Sequence, residues 1–256
     1  MSKIENVLRK LHEIESGKTG IIIYSTKEQK IISSYNSRLI VPLASAAKVA
    51  IGFCVTKWVE EGNLKWDDLV EEISFNPAED SKELYPHFQS RKSLSLLEAV
   101  EVMIACHDSF VSKSIVSAYG GRKKLNQSIQ SYYSTINVTE DPRDDDNKAQ
   151  LDQLLDLMVD IFQGYQRDPL LWTPIINGLI RQQGTIDGVP VHHLNHMTGG
   201  LKNVVVDIGI MGDFNENPFI FALGATQLPN RFRDQAADLK IIKAMGLLYK
   251  EYEKQW

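Results

Sequence analysis

Ser45 and Lys48 stand three residues apart in the stretch Val41-Pro42-Leu43-Ala44-Ser45-Ala46-Ala47-Lys48-Val49-Ala50-Ile51-Gly52-Phe53. A serine hydroxyl attacks poorly at neutral pH unless a neighbouring base takes its proton. A lysine can be that base if burial disfavours its ammonium form. Residues i and i+3 share a helix face, so the hydroxyl and the amine can meet. Lys48 is also the only charge between Leu39 and Thr56, and an ionised group inside an apolar helix is costly unless something offsets it. A capping serine followed by a lysine that reaches to solvent accounts for the same two residues, and spacing alone leaves both readings open.

Other reactive side chains carry weaker signals. His192, His193 and His196 cluster in sequence, but neighbouring strand residues point to opposite faces, so no metal site is expected there. The run Asp141-Pro142-Arg143-Asp144-Asp145-Asp146-Asn147 reads as a solvated connection rather than a carboxylate cluster. Cys54 and Cys106 lie in apolar helical context and read as reduced core residues. No cofactor is called for.

The elements that must position Ser45 follow from local pattern. Pro42 holds the chain extended before the serine, and good helix formers then run to Glu60-Glu61 and the stop at Gly62. Ser45 therefore sits at the start of a buried helix, where backbone N–H groups favour developing negative charge. Ahead of it, residues 3–16 show a helical stripe (Ile4, Val7, Leu8, Leu11, Ile14), and 20–25 and 30–35 read as a β-hairpin. Residues 63–92 are irregular apart from a short element at 67–72. Ser95 and Glu98 have capping-box spacing at the head of a helix running to Cys106. Further helices are expected at 109–119, 122–131, 148–163 and 169–182. Strands follow at 192–198, 203–211 and 219–226, then a terminal helix at 232–254 with Ile241, Ile242, Met245, Leu248 and Tyr249 inward.

That order predicts an α/β (α+β) fold, with a five-stranded antiparallel sheet flanked by the N- and C-terminal helices and packed against an all-helical lobe. Residues 1–40 with 185–256 would form the sheet lobe and 41–184 the helical lobe, as one intimately packed unit. The chain has 256 residues, 43% hydrophobic and 24% charged, as ordinary globular enzymes do. A net charge of -5 gives no case for nucleic acid or an anionic membrane as partner, and leaves a small-molecule substrate. No apolar run reaches ~18 residues. Met1-Ser2-Lys3-Ile4-Glu5-Asn6 lacks the apolar core of a signal peptide, so a cytoplasmic location is expected.

Three segments, in order, give the sequence a specific likeness. Ala44-Ser45-Ala46-Ala47-Lys48 with Glu60-Glu61-Gly62-Asn63-Leu64, then Met103-Ile104-Ala105-Cys106-His107-Asp108-Ser109 through Tyr119-Gly120-Gly121, then Arg181-Gln182-Gln183 through His196-Met197-Thr198-Gly199-Gly200 to Val206-Asp207-Ile208-Gly209-Ile210 resemble the class A β-lactamase and penicillin-binding-protein superfamily of serine hydrolases. The resemblance implies that Ser45 is the acylated nucleophile and Lys48 its base. The family's Ser-Asp-Asn stands here as His107-Asp108-Ser109, so His107 would pass the proton to the leaving group or merely fill a disused site. Ser109 replaces an amide that contacts substrate. The family's Lys-Thr-Gly stands as Met197-Thr198-Gly199: the ammonium is lost, while Thr198 and Gly199 would still line the substrate. An oxyanion hole would come from the N–H groups of Ser45 and of Gly199 or its neighbour. His196 would lie on the wrong face to replace the ammonium, which leaves Lys202, Arg231 or Arg233. Between Ser131 and Gln150 there is no Glu-x-x-Leu-Asn pattern such as the family uses to position the deacylating water, and Glu140 is a candidate for that role. The altered motifs suit a small ester or amide better than a β-lactam, or else an acylation sensor or ligand-binding descendant.

Overall fold

The computed structural model describes residues 4–182 and 184–255; Lys3, expected to open the first helix, and Gln183 of the third motif segment lie outside the described residues. In chain order the elements are α1 (Glu5–His12), β1 (Lys18–Ser25), β2 (Lys30–Tyr35), β3 (Ile40–Pro42), a 3-10 turn (Ala44–Ala46), α2 (Ala47–Glu60), β4 (Leu69–Val70), α3 (Ser81–Leu84), β5 (Leu94–Ser95), α4 (Leu96–Ala105), α5 (Ser109–Ala118), α6 (Gly121–Tyr132), β6 (Lys148–Gln150), α7 (Leu151–Arg167), α8 (Pro169–Ile180), β7 (Leu194–Leu201), β8 (Val204–Met211), β9 (Phe219–Thr226) and α9 (Ala236–Glu253).

Five strands form one antiparallel sheet in the order β2-β1-β9-β8-β7. The period-2 alternation of β-structure sends Ile22, Ile208, Ile210, Ile220 and Ala222 to a core shared with the helical block. It sends Ile21, Ile23, Val205, Phe219 and Phe221 to a second core under α1 and α9. Both faces are thus covered, which is why β8 and β9 are almost wholly apolar and buried at every position. Fully burying one such apolar side chain is worth about 1.5–3 kcal/mol, so the sheet is a rigid base for the edge strand β7.

α2 is buried from Ala47 through Thr56 and again at Trp58. A helix apolar all round belongs inside a protein, and α2 is the centre of the helical block. Its N-terminus is held by the short β3–β6 pair and by Leu43 N donating to the carbonyl of Asn147 at 2.8 Å. The expected capping box is present: Ser95 Oγ accepts from Glu98 N, and Glu98 Oε2 accepts from Ser95 N.

Several expectations need correction. The helix expected over 148–163 begins only at Leu151, because 148–150 are spent pairing with β3; three residues are too few to show a strand period. The strand expected at 192–198 is displaced, since Val191–His193 form a 3-10 turn and pairing starts at Leu194. Ile242 is 44% exposed rather than inward, one residue round the helix from buried Ile241. The first helix spans only Glu5–His12.

Candidate active site

Ser45 is half-buried in the 3-10 turn that leads into α2, and Lys48 occupies the first turn of that helix. Lys48 is 6% exposed, and its Nζ lies 3.5 Å from Ser45 Oγ. Among the described residues no carboxylate lies within ion-pair distance of that amine. Burial pushes the Lys48 pKa down, against the opposing pull of Glu79 and Asp108. A larger share of uncharged amine is what proton abstraction from a hydroxyl requires. Ala44, just before Ser45, has a left-handed φ of +45°. A non-glycine residue held there costs on the order of 1–3 kcal/mol.

The second segment approaches from the turn between α4 and α5. His107 is the other strained residue of the site, with φ +55°. Asp108 is fully buried and caps α5, its Oδ1 accepting from Phe110 N and Val111 N at 3.0 Å each. Asn76 N donates to its Oδ2 at 3.1 Å. Ser109 does not present a free hydroxyl to the cleft. Its N–H donates to Glu79 Oε2 at 3.0 Å, its Oγ lies 3.3 Å from Glu79 Oε1, and it accepts from Asn76 Nδ2 at 2.9 Å. Ser109 therefore seats a carboxylate that the sequence reading missed. Burial pushes the Glu79 pKa up, partly offset by the attraction of Lys48. The one available signal was Asn76-Pro77, which starts a turn; Asn76 Oδ1 accepts from Ala78 N, aiming Glu79 inward. Burial, and then the charge on Lys48, push the His107 pKa down, and its Nε2 meets Oε1 of Gln182.

The third segment lies on β7, the open edge of the sheet. Gly199 fits against the turn that carries Ser45 with no space to spare: a Cβ there would stand 2.7 Å from the Leu43 carbonyl oxygen and 3.0 Å from Ala44 Cβ. Only glycine lets the two backbones approach so closely. Met197, where the family carries an ammonium, is fully buried in the core on the helical side. Thr198 points the other way, with Oγ1 3.4 Å from His196 Nδ1. His196 lies on that same face, 2.8 Å from Asp207 Oδ1 and 5% exposed, so it cannot replace the missing cation. Arg231 is also committed: it holds Asp238 at 2.7 Å and donates to the carbonyls of Leu201 and Val204. Lys202 and Arg233 are exposed.

Lys48, Ser109 and Asn147 are among the residues lining a small cavity of about 30 Å³ beside the start of α2, roomy enough for a water. Glu140 borders it, yet its carboxylate is 66% exposed and pairs with Lys113 at 3.0 Å. A second, open cleft of about 740 Å³ runs past Pro42 and Gly200, with Lys202, Arg143 and Phe232 on its walls. His192 and His193 stack edge to face at 4.4 Å, and His193 Nδ1 meets Tyr249 OH at 2.8 Å. Among the described residues no three histidine, cysteine or carboxylate side chains are grouped to hold a metal, and no helix is long and apolar enough to cross a membrane.

The sequence profile described as "Beta-lactamase enzyme family" matches residues 1–252. The chain belongs to that family. Solved structures agree on the fold. A point mutant of PBP-A, an acyl-enzyme complex with penicillin-G, superposes with a TM-score of 0.80 at 20% identity, over 98% of this chain and 96% of its own. A beta-lactamase from Chitinophaga pinensis DSM 2588 gives 0.78 at 15% identity, over 98% and 99%. The ancestral GNCA class A beta-lactamase gives 0.74 at 16% identity, over 97% and 99%. No curated protein matches the chain in sequence. The β-lactamase-family architecture is therefore retained at low identity.

Proposed function

We propose that this β-lactamase-family protein is a serine hydrolase that transfers an acyl group to Ser45, with Lys48 as the base, and acts on small esters or amides in preference to β-lactams. One observation carries this reading: an amine buried with no carboxylate partner among the described residues, its pKa lowered by burial, lies within hydrogen-bond reach of a half-buried serine hydroxyl. The N–H at the nucleophile turn and the outward N–H groups of edge strand β7 are the donors for the developing oxyanion. The cleft past Gly200 has room for the acyl body.

The substrate preference rests on Met197 and Arg231. With one buried in the core and the other holding Asp238, the cation that would anchor a β-lactam carboxylate is missing from the motif. An activated ester needs no such anchor. Glu140 borders the small cavity beside Lys48, but its carboxylate is exposed and tied to Lys113 rather than free to activate water. This favours slow deacylation, and a protein that acylates once and holds its adduct is the second reading.

The test is incubation with a fluorescent penicillin, a fluorophosphonate and p-nitrophenyl esters, following intact mass and turnover against Ser45→Ala. Ester turnover lost in the variant supports the hydrolase. A stable Ser45 adduct without turnover selects the sensor. Absence of any adduct overturns both in favour of a ligand-binding descendant.

A further inference from the structure

Gln182 follows α8 and is 7% exposed. Its side chain bridges the end of α4 and the imidazole of His107. The amide nitrogen donates to the carbonyl of Ile104 and lies 3.5 Å from that of Ala105. Backbone carbonyls only accept, so this end of the amide must be the NH₂ group. The other end, carbonyl Oε1, is then the atom against His107 Nε2. It too only accepts, so the imidazole proton sits on Nε2. A neutral imidazole has a single N–H, which leaves Nδ1 as a bare lone pair without a hydrogen-bond partner among the described residues. Ile104 O also accepts from the His107 backbone N–H at 3.4 Å, so ring and main chain are pinned to the same carbonyl.

We propose that Gln182 is a positioning residue that holds His107 as its Nε2–H tautomer and so makes Nδ1 the proton-accepting atom of the second motif. The proposal rests on Ser45 being the nucleophile. Ser45 Oγ bonds to the acyl carbon as its proton passes to Lys48 Nζ. The resulting ammonium passes that proton through one bridging water to His107 Nδ1, and the ring becomes imidazolium. As the bond from the acyl carbon to the leaving oxygen or nitrogen breaks, Nδ1 delivers the proton to that atom and the ring returns to neutral. The net change is one proton moved from serine to leaving group. A ring protonated on Nδ1 could not take the proton from Lys48, and the relay would stop there.

The ring is surrounded by groups that keep it ready to accept. Lys48 on α2 and His196 on β7 disfavour its protonation, as burial does, whereas Asp80 beside α3 and the Gln182 carbonyl favour it. Burial prevails, so the resting ring is neutral at pH 7.

The test uses the full chain labelled with ¹⁵N-histidine, and assigns His107 by its loss in His107→Gln. At neutral pH the expected spectrum shows a protonated Nε2 whose N–H exchanges slowly enough to be seen, and an unprotonated Nδ1. A proton on Nδ1, or an averaged pair, overturns the proposal. In Gln182→Met the slow N–H signal should vanish and ester acylation should fall roughly a hundred-fold, the low end of what positioned proton transfer contributes. Gln182→Glu keeps an acceptor and should move the His107 titration upwards. In a His107→Gln background Gln182→Met should add nothing; an equal loss there would make Gln182 merely structural and sink the proposal. Should the Gln182 variants not fold, the wild-type spectrum still decides. A Ser45 that no acyl probe labels removes the hydrolase reading and the relay with it, whereas an Nδ1–H spectrum with Ser45 labelled removes the tautomer lock alone.

Discussion

Lys48 and His196 are buried to nearly the same extent, at 6% and 5% exposure, yet burial has opposite outcomes for them. Lys48 sits on the helical side of β7, and its nearest polar partner is a hydroxyl at 3.5 Å. His196 sits on the other face, with a carboxylate at 2.8 Å. Burial pulls the His196 pKa down too, but the attraction of Asp207 and its hydrogen bond outweigh it, and the net shift is upward. For Lys48 the more distant carboxylates cannot offset the loss of water, and the net shift is downward. The partner, not the depth, decides whether the pKa of a buried basic group moves up or down.

The sharpest way to break this contrast is at the reactive side. Ser45→Ala should abolish covalent labelling in intact-mass measurements, and Lys48→Ala should slow ester acylation by about 10²–10⁴, the usual worth of a positioned base. On the structural side, Asp207→Ala leaves the buried His196 imidazole without its carboxylate acceptor, which should cost about 1–3 kcal/mol in urea denaturation and leave the acylation rate per folded molecule unchanged. The two regions should also respond oppositely to pH. The stability contributed by the His196 pair is full below the ordinary histidine pKa and fades as pH rises through the raised folded value. Acylation instead grows as pH rises through the lowered Lys48 value. Stability and acylation curves that rise together would refute the contrast. Glu79→Gln makes a smaller change: without that carboxylate the Lys48 pKa falls further, so the acid limb of the acylation profile should move to lower pH. The smallest effect is at the thiols. Burial pushes Cys54 and Cys106 up to about 12, so native protein should resist iodoacetamide, with labelling appearing only in denaturant.

Much of the fold was legible because its signals are local. Short runs of β-branched and apolar residues marked β1, β8 and β9, and Ser95 with Glu98 marked the head of α4. What escaped notice was set by distant partners. β6 exists because β3 lies opposite it, and a three-residue pairing between segments so far apart in the chain leaves no periodic trace. The same division runs through the site. Ser45 and Lys48 are neighbours on one helical turn, so their spacing alone brought them together. Glu79 reaches Ser109 from a loop thirty residues earlier, and Gln182 reaches His107 from beyond α8. Neither pairing follows from any interval in the chain. The turn at Asn76 and the glutamine after α8 become informative only once tertiary packing has placed them.

The contact of Gly199 with Leu43 and Ala44 has a consequence for how such a site can change. The slot between the turn at Ser45 and the sheet edge is bounded by the Leu43 carbonyl, with Ala44 Cβ and Val206 Cγ1 against it, so the bare backbone at position 199 sets how near the two segments come. Motif residues such as Met197 and His107 can then be exchanged, altering which molecules bind and how protons move, while the place where a carbonyl would meet Ser45 stays fixed. A single methyl added at position 199 would close that slot directly.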